Sequence, residues 1–154
     1  MLSRLDVSPG RVHEMPASDG THESLQDAAD AYAGTLRSRG GGRFDVVMLG
    51  VGPDGHVASL FPGSRQLDAD DAVVVAVTDS PKPPPERISL TFGALNRANE
   101  VWFVVTGEGK AGAVAQALAT GGDAADLHQV PAAWVHGQDA TVWFLDETAA
   151  SKLG

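Results

Sequence analysis

The chain has 154 residues, 43% hydrophobic and 20% charged, enough for one domain with a real core and ordinary for a soluble globular protein. The absence of cysteine excludes disulfides, thiolate metal sites and thiol nucleophiles; no apolar run approaches the roughly 20 residues that span a bilayer, and the start lacks a signal-peptide pattern, so the expected location is the cytoplasm. A net charge of −9 repels nucleic acid and anionic membranes, so neither is an expected partner, and any site for an anionic ligand must reverse the field with local basic groups.

Residues 1–20 read as irregular, broken by Pro9, Gly10, Pro16 and Gly20. From about Thr21 the pattern turns helical: Leu25, Ala28, Ala29, Tyr32 and Leu36 share one face, Arg37 and Arg39 suit a last turn, and Gly40, Gly41 and Gly42 stop it. Residues 44–49 (FDVVML), 73–77 (VVVAV) and 101–105 (VWFVV) are nearly continuous apolar runs, which predicts parallel strands covered on both faces. Trp134–Val135 and residues 142–145 are weaker strand candidates. Residues 90–98 predict a helix; Ala111, Val114, Ala115 and Leu118 predict another, closed by Gly121 and Gly122. Strands alternating with helices predict one α/β domain around a mostly parallel sheet.

Two segments interrupt the alternation. Residues 80–87 (SPKPPPER) form a proline-rich connector. Residues 49–63 (LGVGPDGHVASLFPG) form a glycine-rich loop directly after a strand, the place where open parallel sheets bind ligands. Gly50, Gly52 and Gly55 permit sharp turns and close approach to a ligand. Asp54 and His56 stand two residues apart, so the carboxylate can fix the imidazole tautomer, and such a histidine can deprotonate water at neutral pH. Alone, His56 reads first as a hydrogen-bonded loop histidine, and Asp54 reads equally as a turn residue capping local N–H groups. The glycines imitate a dinucleotide fingerprint. That reading fails because Pro53 sits inside the loop and the acidic residues at the right distance, Asp70 and Asp71, precede a strand instead of ending one.

Residues 100–110 (EVWFVVTGEGK) run from a strand into Gly107 and Gly109, with Lys110 opening a helix. Free backbone N–H groups there favour an anion, and Lys110 adds a point charge suited to phosphate; its alternative is a solvated first-turn lysine. Residues 85–92 (PERISLTF) supply Arg87, which reads as a site residue or as an ordinary surface arginine. His13, His22, His128 and His136 are dispersed without metal-ligand spacing. Trp102, Trp134 and Trp143 lie in apolar runs and read as core, while Asp19, Asp123 and Asp126 read as solvated charges.

GVGPDGHVASLFPG resembles the signature loop of 6-phosphogluconolactonases. The resemblance continues through SPKPPPERISLTFGALNRANEVWFVVTGEGKAGAV to PAAW and WFLDETAA, and RVHEMP near the start is also similar; it covers the chain from about Arg11 onward. It implies a three-layer, Rossmann-like α/β fold related to glucosamine-6-phosphate deaminases and ribose-5-phosphate isomerases. It also implies hydrolysis of 6-phosphoglucono-1,5-lactone to 6-phosphogluconate without metal or cofactor. His56 matches the catalytic histidine and Asp54 its carboxylate neighbour; Lys110 matches a phosphate-contacting lysine, and Arg87 an arginine of the active-site region. Gly52 and Gly55 belong to the substrate-binding loop, whose N–H groups are expected to hold the oxyanion. Family members carry a further N-terminal region with a phosphate loop and an Asp-Glu-Arg motif. This chain has neither, so it reads as the C-terminal part of such a domain, with apolar helix faces or a sheet edge left uncovered and favouring self-association.

Rival readings are weaker. A glucosamine-6-phosphate deaminase follows the same DGH with a glutamate five residues after the histidine, where this chain has Phe61. A non-catalytic sugar-phosphate sensor usually carries a DNA-binding segment, and no basic patch or helix-turn-helix candidate is present. An inactive remnant stays open.

Overall fold

The computed structural model describes residues 5–39, 42–69, 71–119 and 128–154. In chain order the elements are α1 (Leu25–Arg39), β1 (Val46–Leu49), β2 (Val74–Val77), β3 (Arg87–Leu90), α2 (Phe92–Leu95), β4 (Glu100–Val105), α3 (Ala111–Ala119) and β5 (Ala140–Leu145). Short 3-10 turns lie at Pro9–Arg11, Arg65–Asp68, Glu108–Lys110 and Pro131–Trp134. The predicted helix stops at Gly40, Gly41, Gly121 and Gly122, and Asp70, Asp123 and Asp126, lie outside the described residues.

The apolar runs of β1, β4 and β5 pair in parallel in the order β1-β4-β5, as the α/β reading expects. Val47 lies beside Val101, and Phe103 beside Trp143. Because side chains alternate across a strand, Val101, Phe103 and Val105 point into the core, where they are all but fully buried. Trp143 stacks on Phe103 with ring centroids 4.0 Å apart. Burying one such aromatic or branched side chain contributes roughly 1.5–3 kcal/mol. Residues from the loop after β1, from α3 and from the 130–135 segment close the same core.

Burial on both faces of these strands, expected from their continuous hydrophobicity, does not hold among the described residues. The partners just named join one cluster with the inward side chains of the sheet. The alternate positions are open: Met48 is 64% exposed, Phe144 48% and Val104 45%. Trp102, expected in the core, lies on this open face, edge-on to Phe144 at 5.6 Å, with its indole N–H donating to Glu100. A sheet face is thus uncovered as well; the outer strands β1 and β5 are edges of the described sheet, and Leu118 of α3 is 41% exposed.

The run at residues 73–77 differs from expectation in direction. β2 pairs antiparallel with β3, Val74 opposite Leu90 and Val77 opposite Arg87. The proline-rich segment is the hairpin connection: antiparallel strands accept a short link, and prolines cannot continue a ladder for want of an N–H. The helix predicted over residues 90–98 shrinks to α2 because Leu90 still belongs to β3 and Thr91 starts the helix. The Thr91 hydroxyl accepts from the Ala94 N–H at 3.2 Å, the N-cap arrangement, and donates to the Ala72 carbonyl at 2.6 Å. Trp134, a weak strand candidate, ends a 3-10 turn opened by Pro131, while Val135 is extended.

α1 forms as predicted, four residues shorter at its start. The Ser24 hydroxyl accepts from the Asp27 N–H, and Ala29, Ala33 and Val74 are buried together where α1 packs on the β2–β3 hairpin. Among the described residues no helix is long and apolar enough to cross a membrane.

Candidate active site

β1 ends at Leu49, and the chain turns over the carboxyl end of the sheet through residues 50–63. The loop is shaped by its own backbone. The Gly52 N–H donates to the His56 carbonyl at 2.9 Å, and the Gly55 N–H donates to the Gly52 carbonyl at 2.9 Å. Gly55 has φ +83°, and a Cβ there would also press on Val130 at 3.2 Å, so glycine is required twice over. The Gly55 carbonyl accepts from Ala132 and the Ser59 N–H donates to the Ser89 hydroxyl at 3.0 Å, which fastens the loop to two other parts of the fold.

This folding brings Asp54 and His56 together. Asp54 Oδ1 lies 2.6 Å from His56 Nδ1 and 3.4 Å from the His56 N–H. Asp54 therefore acts both as turn residue and as imidazole partner, the two roles left open by its sequence. A carboxylate on Nδ1 makes that nitrogen the donor and leaves Nε2 as the acceptor. His56 is mostly buried and packs on Phe61, ring centroids 4.4 Å apart. Burial holds the His56 pKa below the ordinary histidine value; Asp54 opposes this, while the charges of Lys82 and Lys110 reinforce it. Burial pushes the Asp54 pKa up, but the hydrogen bonds and charge of His56 outweigh it and the net position is lowered.

Lys110, at the end of the Glu108–Lys110 turn, reaches back so that its ammonium donates to the Val51 carbonyl at 2.6 Å. His56, Gly52 and Lys110 border one open cleft of about 390 Å³, together with Leu49, Gly50, Val51 and Ala58. Arg87 lies elsewhere. Its Nε donates to the Pro84 carbonyl at 3.0 Å, and its Nη2 to the Lys82 and Pro83 carbonyls at 2.9 and 3.0 Å. Its guanidinium stands 5.7 Å from the centroid of the Phe61 ring.

Two expectations about backbone donors change. The N–H groups of Gly52 and Gly55 serve the loop itself, so neither is free for an oxyanion. Of the segment whose free N–H groups were expected to favour an anion, the Gly107 N–H donates to both carboxylate oxygens of Asp146 at 3.1 and 3.0 Å. Backbone N–H groups of Ala149 and Gly107 hold the Asp146 pKa below the usual carboxylate value. Sequence reasoning also missed Lys82, whose Nζ lies 3.5 Å from Asp54 Oδ1 and 3.3 Å from His56 Nδ1. The only available signal was a lone cation among prolines. Among the described residues no group of three or more His, Asp or Glu side chains could hold a metal ion.

This arrangement has known relatives. The family described as "Glucosamine-6-phosphate isomerases/6-phosphogluconolactonase" matches residues 1–143. A 6-phosphogluconolactonase of Mycobacterium tuberculosis is 47% identical over 159 residues, covering 99% of this chain and 63% of the relative. The solved 6-phosphogluconolactonase of Trypanosoma brucei aligns with a TM-score of 0.70 at 31% identity, over 90% of this chain and 57% of that one. A monomeric glucosamine-6-phosphate deaminase aligns with a TM-score of 0.67 at 22% identity, over 86% of this chain and 57% of that one, a likeness of fold alone. The chain thus spans less than two thirds of the length of these proteins.

Proposed function

The chain belongs to the glucosamine-6-phosphate isomerase/6-phosphogluconolactonase family, and from that premise we propose that it hydrolyses 6-phosphoglucono-1,5-lactone to 6-phosphogluconate. The observation that carries the reading is the 2.6 Å contact between Asp54 and His56 Nδ1, in a cleft that also holds Lys110.

His56 Nε2 accepts a proton from water as its oxygen bonds to the lactone carbonyl carbon. The carbonyl electron pair moves onto oxygen, then returns as the bond to the ring oxygen breaks, and His56 gives its proton to that leaving oxygen. Asp54 holds the imidazole in the tautomer that does this. With the Gly52 and Gly55 N–H groups committed, the N–H groups of Gly50 and Val51, which border the cleft, are the loop donors proposed for the oxyanion; one such donor is worth about 3–4 kcal/mol in other hydrolases. Gly52 and Gly55 shape the substrate loop. Lys110 meets the phosphate in this cleft, and Arg87, which does not line it, is proposed to reach the phosphate from beside Phe61 through its Nη1. No cofactor is invoked.

Phe61 weighs against a deaminase, since it fills with an apolar ring the position where that enzyme has its glutamate. The cytoplasm is the proposed location. Self-association through the face of Met48, Val104 and Phe144 belongs to the same reading, and a concentration-dependent sedimentation coefficient tests it.

The test of activity is hydrolysis of the lactone, generated in situ from glucose 6-phosphate, by the purified chain. A rate above spontaneous opening supports the assignment. A chain folded by circular dichroism that adds nothing to the spontaneous rate overturns it for these 154 residues.

A further inference from the structure

Lys82 sits in a segment that reads as a mere connector, yet its backbone is fixed at both ends of the residue. Its N–H donates to the Ser80 hydroxyl at 3.2 Å, and its carbonyl accepts from that hydroxyl at 2.8 Å and from Arg87 Nη2 at 2.9 Å. Arg87 also holds the next two carbonyls, of Pro83 and Pro84. Ser80 is buried, so the clamp is anchored in the fold. The result is an ammonium beside the shared edge of His56 and Asp54.

We propose that Lys82 is a positioning residue for the Asp54–His56 pair, delivered to it by the Ser80–Arg87 clamp. The inference rests on the hydrolytic reading of the site. Nδ1 already donates to Asp54, and an ammonium is itself only a donor, so Lys82 acts on the imidazole through charge. It also pairs with Asp54 and restrains the carboxylate that sets the tautomer. The charged groups facing His56 are Asp54 from its own loop, Lys82 from the proline segment and Lys110 from the turn after β4; Arg87 stands over the Phe61 ring on which His56 packs. Asp54 favours a charged imidazolium and the cations oppose it. Lys82 thereby keeps the imidazole neutral in acid and speeds its release of the proton taken from water. The pair is partly exposed, so solvent screens the effect.

The experiment is an NMR pH titration of the histidine-labelled 154-residue chain, with His56 assigned by its missing signal in His56→Ala. Lys82→Met should move the His56 midpoint upward, and Lys82→Arg should restore it. A purely structural role for Lys82 would leave the midpoint in place. An unchanged or lowered midpoint, with the other histidine signals undisturbed, overturns the proposal. If Lys82→Met disturbs those signals, Lys82→Gln is read by the same criterion. The midpoint is measured without turnover, so failure of lactone hydrolysis would sink the proposed activity and leave this coupling standing. In a turnover assay Lys82→Met should lose about three- to tenfold in kcat/KM near pH 6, with the loss shrinking toward pH 8.

Discussion

Gly52 and His56 share a space that holds only one side chain: a Cβ at Gly52 would overlap His56 Nδ1 and the Asp54 carboxylate. The Gly52 N–H meanwhile holds the His56 carbonyl, so the backbone fixes the histidine while the missing Cβ makes room for its ring.

Gly52→Ala should therefore displace the imidazole from Asp54. The expected outcome is a loss of kcat of about 100-fold or more, the scale of a misplaced catalytic group, with the far-ultraviolet circular dichroism of the native chain retained. Near-native kcat in this variant would show that the 2.6 Å contact is dispensable.

The pH profile should carry the sign of the electrostatics. The imidazole acts when neutral, so kcat/KM rises as His56 loses its proton. Because burial lowers that pKa, the acid limb should fall below the ordinary histidine value of about 6.5. Asp54 opposes the lowering; Asp54→Asn should therefore move the limb further toward acid while reducing kcat. Initial rates between pH 5 and 8 test both signs.

Lys110→Met should act mainly on binding. Removing the charge opposite the proposed phosphate should raise KM roughly tenfold or more, the effect of a lost charge-assisted hydrogen bond. Titration with 6-phosphogluconate measures the same loss directly.

Phe61 and Thr91 test the scaffold. Phe61 is 2% exposed and Phe61→Ala should cost about 3–5 kcal/mol by urea unfolding, loosening His56 as well. Thr91→Val removes an N-cap acceptor and the hydroxyl bonded to Ala72, at an expected cost of about 1–3 kcal/mol. Thr91→Val should leave the His56 NMR midpoint alone.

How much of this was legible varies with the range of the interaction. The loop at residues 49–63 could be read because its glycines, Asp54 and His56 are neighbours in sequence. The apolar runs of β1 and β4 marked strands, but continuous hydrophobicity cannot say whether one face or both are covered, and Met48 and Val104 are exposed. The run VVVAV carries no sign of strand direction, so the antiparallel partner Arg87–Leu90 stayed hidden behind the prolines and was partly read as helix. The Asp146–Gly107 bond joins residues 39 apart. Lys82 reaches Asp54 only because the hairpin folds 28 residues back on the loop, a path that local pattern does not encode.

The most direct test of the central claim compares lactone turnover and product binding in the wild-type chain and His56→Ala. The account predicts catalysed turnover in the wild type, its loss in His56→Ala to the spontaneous rate, and 6-phosphogluconate binding within a few-fold of wild type, as expected for removal of a group that moves protons. Wild-type-like turnover by folded His56→Ala would contradict it.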